Sequence, residues 1–355
     1  MSTSGQPPLL VTGDEPLLDD LLRLSAAAGV VPDVAHDVAA AQRGWSAAAL
    51  VLVGADQAAA LARIEPPRRP QVQVVARGAV PDGLFRSALA LGAEHVAELP
   101  LSEAWLVELL TDAGDGAASR GVAIGVVGGS GGAGATVFAS ALALTLGADR
   151  ATLLVDADPL GAGIDRVLGM ESLDGIRWDA LHHTTGRLSA RSLRDALPRR
   201  SGVSVLTWAA DRPTGLQAFA MREVLSAGQR GHGALVLDLP RHPDPVIEEV
   251  LARLDHVVVV SGVTVPAVTA TSRVTARLVG LSATSHLVVR GSGGVDPTAI
   301  GRLLGLPVAV AMPDQRGLDE AIDLGAGPVR SRRGVLARAA RQVAGRVVLA
   351  DGLAA

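Results

Sequence analysis

The stretch Val126-Val-Gly-Gly-Ser-Gly-Gly-Ala-Gly-Ala-Thr136 decides the fold. It fills the frame G-x-x-x-x-G-K-[ST] with Gly129, Gly134, Ala135 and Thr136, so alanine stands where the frame carries lysine. The apolar run 122–127 before it reads as a buried strand, and residues 136–146 after it have helical length and composition. In that context the backbone N–H groups of successive glycines converge on a phosphate, and the helix N-terminus adds about half a positive charge. Gly131, Gly132, Ala133, Gly134, Ala135 and Thr136 are the expected anion-binding positions. The missing lysine removes a charge-assisted hydrogen bond worth about 1.5–3 kcal/mol, which weakens phosphate binding by roughly 10- to 150-fold. Chemistry that relied on that donor would slow by about 10²–10³.

The chain has no lysine anywhere, and its alanine, glycine and valine abundance fits a GC-rich genome; arginine was still available for position 135. Its 355 residues suffice for two or three domains, and 48% hydrophobic residues supply large cores. With 32 basic and 36 acidic residues the net charge is −4, which predicts no general attraction to nucleic acid. Without cysteine there is no disulfide framework or thiolate metal site. No run of about 18 apolar residues and no basic-then-apolar leader occurs, so a cytoplasmic location is expected.

Segments 9–11, 48–53, 72–75 and 95–97 read as strands, with helical stretches such as 16–24 between them. The small residues 113–119 then form a connection, which divides the chain into a unit 1–112, a linker 113–120 and a unit 121–355. In the second unit 122–127, 152–155, 203–206, 234–237, 257–260, 286–289 and 308–310 are short, apolar and bounded by Gly, Pro or Asp. Both units are α/β, and seven or eight strands with intervening helices predict a doubly wound, mostly parallel sheet that binds ligands at its strands' carboxyl ends.

Two of those strand ends are acidic: Asp156-Ala-Asp158-Pro159 and Asp238-Leu-Pro240. Beside a phosphate-binding loop, a carboxylate at such a place fixes magnesium or its water shell, and another orients an attacking water. Asp238 is the magnesium-side candidate with Thr136 as direct metal ligand, Asp158 the catalytic, water-positioning candidate, and Asp156 a support for the switch. Turn chemistry also places Asp after strands; the ordered company of the glycine loop favours function.

This arrangement resembles the MinD/ParA family of deviant P-loop ATPases, whose loop reads K-G-G-x-G-K-[ST] and here falls on residues 130–136. Asp156–Pro159 looks like its first switch and Asp238–Pro240 like its Walker B and second switch. Residues 304–322 followed by 327–329 are similar to its C-terminal passage, and the resemblance covers 121–350. It implies ATP and Mg2+ as cofactors. Ser130 replaces the signature lysine, Ala135 the ordinary one, and Val289-Arg290 the family's Asn-Arg base-recognition pair, leaving Arg290 as a cofactor-binding candidate. Arg241 reads either as a substitute cation or as a solvated surface residue.

The first unit resembles a response-regulator receiver, with the acidic pair Asp14-Glu15 after its first strand. Gly54 and Leu99 occupy the places of a receiver's phosphorylated Asp and its Lys, Pro100 follows, and Asp56 reads as a loop residue, so phosphorylation is not expected. A silent receiver fused to a MinD-like ATPase is the arrangement of the CpaE/TadZ branch, whose actinobacterial members are described as CpaE-like or septum site-determining. The resemblance implies a spatial regulator of septum placement or of pilus or secretion machinery. It implies protein partners from those machineries, leaves open a homodimer and peripheral association with the inner face of the plasma membrane, and includes no nucleic acid. A nucleotide-independent pseudo-ATPase scaffold is the alternative; a signalling receiver with a non-catalytic effector is a third reading.

The basic segment 330–348 places Val335, Leu336, Ala339, Ala340 and Val343 on one helical face, which reads as a terminal helix packed on the sheet rather than a lipid-surface helix. Arg187, Arg191, Arg194, Arg199 and Arg200 read as a solvated helix face, and the adjacent His182-His183 diverge on a helix and predict no metal site. Trp45, Trp105, Trp178 and Trp208 are expected in cores or interfaces.

Overall fold

Short strands that begin after turns and end at polar residues build two sheets. The structure, a computed structural model, describes residues 6–114, 120–181, 188–209 and 215–352. The chain divides at Ser119/Arg120 into two compact units, apart from the short piece Ser189–Arg191. Residues 115–119 of the expected connection, His182, His183 and Arg187 lie outside the described residues.

In the first unit β1 (Leu9–Val11), β2 (Asp33–Ala35), β3 (Val51–Gly54), β4 (Val72–Arg77) and β5 (His95–Leu99) form a parallel sheet ordered β2-β1-β3-β4-β5. The helix Glu15–Ala27 starts where Asp14 accepts the Leu17 N–H and Pro16 sits in the first turn. Strand β2 was not legible: Asp33 and Val34 are exposed and only Ala35 is buried, so it shows neither alternation nor an apolar run. Strand β3 starts at Val51, later than the expected 48–53, because its register with β1 begins at the Leu9–Val51 pair.

The second unit contains β6 (Val122–Gly128), β7 (Thr152–Asp156), β8 (Arg199–Arg200), β9 (Val203–Leu206), β10 (Ala234–Leu239), β11 (His256–Gly262), β12 (Thr284–Arg290) and β13 (Val308–Met312). Their order is β13-β12-β11-β6-β10-β7-β9-β8. All pair in parallel except the edge strand β8, antiparallel to β9. The chain runs outward from β6 to β7 and β9, returns to β10, then crosses to β11, so the loop after β6 lies at the switch point of the sheet. Arg199 and Arg200 therefore belong to a strand, not to the helix face expected for them; two arginines carry no apolar signal, and pairing with β9 defines the strand.

Alternate residues of β6 serve two cores. Val122, Ile124 and Val126 join Phe138 and Leu142 of the helix Ala135–Leu146, together with Leu336, Ala340 and Val343 of the helix Val335–Gly352. Ala123 and Val127 face the opposite core with Leu251 and Leu254. Coverage on both faces explains why these strands read as continuous valine and leucine runs. The apolar stripe of the terminal helix is spent on this core, with Leu336, Ala339, Ala340 and Val343 all buried, so it is not offered to a lipid surface. Among the described residues no helix is long and apolar enough to cross a membrane.

Two buried histidines add a pH dependence. His286 Nε2 lies 3.2 Å from His256 Nδ1 on the neighbouring strand, and burial, then the charges of His256 and Arg346, pushes His286 down to about 4. Burial likewise pushes His232 down to about 4, although its ring meets the Gly228 carbonyl at 3.2 Å. The unfolded chain binds these protons near pH 6.5 and the folded one near 4, so stability falls as pH drops through that window. A His286→Gln variant should show a shallower loss of denaturation midpoint between pH 7 and 4.5 than the parent.

Candidate functional site

The loop after β6 presents an open backbone cradle. A Cβ at Gly131 or Gly132 would meet nothing within 4 Å, and both residues are exposed. Gly134 adopts φ 88 and caps the twelve-residue helix Ala135–Leu146 without a side-chain hydrogen bond. Among the described residues the N–H groups of Gly131, Gly132, Gly134, Ala135 and Thr136 have no acceptor, whereas Ala133 N–H donates to Ser130 O at 3.3 Å. Ungrouped donors at a helix N-terminus are what an anion requires. Ala135 is the first residue of the helix, so its missing side chain removes a cation while the backbone curve stays.

Behind the cradle Asp238 and Asp156 are direct partners across β10 and β7. Burial pushes the Asp238 carboxyl up to about 7; the Thr136 hydroxyl donates to it, and the charges of Asp156 and Asp158 raise it further. Burial also pushes Asp156 up to about 6 against three donors: Thr207 Oγ1 at 2.7 Å, Asp158 N–H at 3.1 Å and Ile164 N–H at 3.3 Å. The Asp156 carbonyl accepts from Trp178 Nε1 at 2.7 Å, and Trp178 packs 5.6 Å from Trp208. Asp156 thus pins the segment after β7 to β9. Asp158 is half-buried and accepts from Leu160 N–H at 3.0 Å, closing its own turn.

The residues fit ATP–Mg2+ at its phosphates, and beside Arg290 they leave little enclosed space. One hydroxyl and one carboxylate, Thr136 and Asp238, suit a magnesium ion that takes its other ligands from phosphate and water. Among the described residues no group of three or more His, Cys, Asp or Glu side chains is placed to hold a metal alone. At the place the resemblance gives to base recognition, Val137, Arg290, Met312, Gln315, Leu318 and Leu336 enclose about 10 Å³, room for about one water. Arg290 Nε donates to Asp314 Oδ1 at 2.8 Å and Nη1 to Ala133 O at 3.3 Å, and a Cβ on Gly134 would lie 2.5 Å from Nη1. The structure thus lays a guanidinium against the loop, while Arg241, the substitute considered from sequence, is exposed and its carbonyl accepts from Arg277 Nη1 at 2.8 Å. Asp314 and Thr207 were missed from sequence because their roles exist only through strand order, Asp314 next to β12 and Thr207 next to β7.

In the first unit Asp56 is not a loop residue: it sits in the first turn of the helix Ala55–Ala62. Its carboxylate accepts from Thr12 Oγ1 and Gly13 N–H at 2.8 Å each and from Gln57 Nε2 at 3.0 Å. Burial raises its pKa, but these donors together hold it below the usual value. A Cβ on Gly54 would lie 2.4 Å from Asp56 Oδ1, so this carboxylate fills the space a receiver's own Asp would use. Asp14 is spent as a helix cap. We expect Asp56→Asn to lower stability by about 1–3 kcal/mol in urea titration, with no phosphoryl uptake from acetyl phosphate by either protein.

A family model described as "Rv3660c-like, CheY-like N-terminal domain" matches residues 11–121. Rv3660c of Mycobacterium tuberculosis H37Rv is 37% identical over 338 residues, spanning 94% of this chain and 95% of that protein. The chain belongs to the Rv3660c-like family. MT3760 of Mycobacterium tuberculosis CDC 1551 matches to the same extent. Among solved structures, the septum site-determining protein MinD complexed with Mg-ADP from Pyrococcus horikoshii aligns with TM-score 0.57 and 21% identity, over 66% of this chain and 98% of that one. A ParA family ATPase from Chlorobium tepidum aligns with TM-score 0.55 and 15% identity, over 63% and 98%. This chain therefore joins a CheY-like domain to a unit with the MinD/ParA P-loop fold, the second a likeness of fold.

Proposed function

We propose that the protein is a MinD/ParA-like spatial regulator that binds ATP–Mg2+ weakly through the backbone of residues 131–136. The observation that carries this reading is the set of acceptor-free N–H groups at an uncapped helix start, backed by the Thr136–Asp238 pair. Bound magnesium supplies charge neutralisation at the phosphates. Thr136 and Asp238 would hold it, Asp156 keeps the segment after β7 in place, and Asp158 would orient water for a slow hydrolysis that lacks both lysines. The likeness to CpaE-like, septum site-determining proteins supports a role in placing the septum or pilus and secretion machinery. It also supports protein partners, a homodimer and work in the cytoplasm or at the inner face of the plasma membrane; a MinC:MinD complex is among the solved structures of this fold.

The filled slot around Arg290 favours a second reading, a pseudo-ATPase scaffold that never uses nucleotide. Thermal melts separate the two. ATP with Mg2+ at millimolar concentration should raise the midpoint of the parent by mass action and leave Gly131→Glu, which places a carboxylate in the cradle, unmoved. Equal melts with and without ligand in the parent select the scaffold.

A further inference from the structure

At the other end of the helix that begins in the cradle, a second basic cleft opens. It encloses about 480 Å³ and is lined by Thr145, Asp149, Ser201, Arg330, Arg332 and Arg341, over an apolar floor that includes Leu144 and Val329. The helix Ala135–Leu146 spans about 18 Å, so this cleft is separate from the phosphate loop. Arg341 is braced from within: Nη2 donates to Arg332 O at 2.6 Å and Nε to Ala337 O at 3.4 Å. Among the described residues none of the three arginines forms an ion pair, in a chain whose overall charge is −4. Three guanidinium charges outweigh the Asp149 carboxylate and the roughly half-unit negative end of the helix.

We propose that this cleft binds a compact phosphorylated small molecule. Guanidinium groups are the side chains best matched to phosphate oxygens, the Ser201 hydroxyl adds a donor, and the volume falls within the range of small-ligand sites, while the Thr145 hydroxyl is spent on the Ala141 carbonyl at 2.7 Å. Nucleic acid fits less well, since no aromatic side chain lines the cleft to stack on bases and the arginines line a recess rather than a stripe. The apolar floor suits the carbon skeleton of such a ligand.

Calorimetry with inorganic pyrophosphate at low salt, in a Gly131→Glu background that removes the phosphate loop from the titration, tests this directly. Saturable binding that weakens about tenfold or more in Arg330→Gln/Arg332→Gln/Arg341→Gln supports the cleft. The single variant Arg330→Glu, at a side chain with no hydrogen bond or ion pair among the described residues, should weaken it as well if the triple variant misfolds. Absence of pyrophosphate binding in the Gly131→Glu protein overturns the proposal, as do unchanged affinities in the arginine variants. Arginine-dependent binding of a random duplex DNA without pyrophosphate binding would overturn it in favour of a nucleic-acid surface. Because the loop is silenced throughout, failure of the ATP reading leaves these outcomes intact.

Discussion

Ala135→Lys should tighten ATP–Mg2+ binding by roughly 10- to 150-fold, the equivalent of about 1.5–3 kcal/mol. Ala135 opens the helix after the cradle and is only partly buried, so a longer side chain has a way out of the core. Nothing else in the loop need change, because the glycine conformations and the acceptor-free N–H groups are already in place. The charge missing from the loop is met only in part by Arg290, which is bound to Asp314 and to the loop's own Ala133 carbonyl. Titration of parent and variant with a fluorescent ATP analogue reads the ratio. An unchanged affinity would mean that the filled slot around Arg290, not the missing lysine, limits binding.

Asp238→Asn should stabilise the ligand-free protein by about 2–4 kcal/mol above pH 7. The carboxyl of Asp238 rises from an ordinary 3.8 to about 7 because it is buried, with Asp156 and Asp158 nearby. A folded-state value raised above the unfolded one contributes stability below the unfolded value and loses it as pH rises through the folded one. The parent therefore loses stability between about pH 4 and 7, and the uncharged variant does not. Denaturant titrations at pH 8 and pH 4.5 should show the gain at the first and little at the second. The same variant should lose any Mg2+-dependent rise in melting temperature, since it removes one of two protein groups that would hold the ion. Equal stabilities at pH 8 would remove the case for a buried charge held in reserve for a cation.

How much of this was legible depended on whether a residue's role is local. The loop 126–136 announced strand, turn and helix because glycine spacing and apolar runs are near-neighbour signals. Asp156 and Asp238 could be placed at strand ends, but their direct pairing across β7 and β10 needed the sheet order, which no short motif encodes. Strand β2 and strand β8 escaped notice because one exposes two of its three residues and the other consists of two arginines, each defined by its neighbour alone. The role of Asp56 depended on Thr12 and Gly13, more than forty residues away in sequence and adjacent only through the pairing of β1 with β3. The filled slot at Arg290 was hidden for the same reason, because it draws on residues from 137 to 336.

On the proposed function, a loop without lysine still receives ATP–Mg2+ on its backbone. Titration of the parent protein with a fluorescent ATP analogue in excess Mg2+, with unlabelled ATP as competitor, measures that directly. Saturable, competable binding with a dissociation constant between about 10 μM and 1 mM is the expected result. A flat titration to millimolar concentration, with Ala135→Lys equally flat, would contradict it and leave the protein a scaffold that keeps the fold of an ATPase without its ligand.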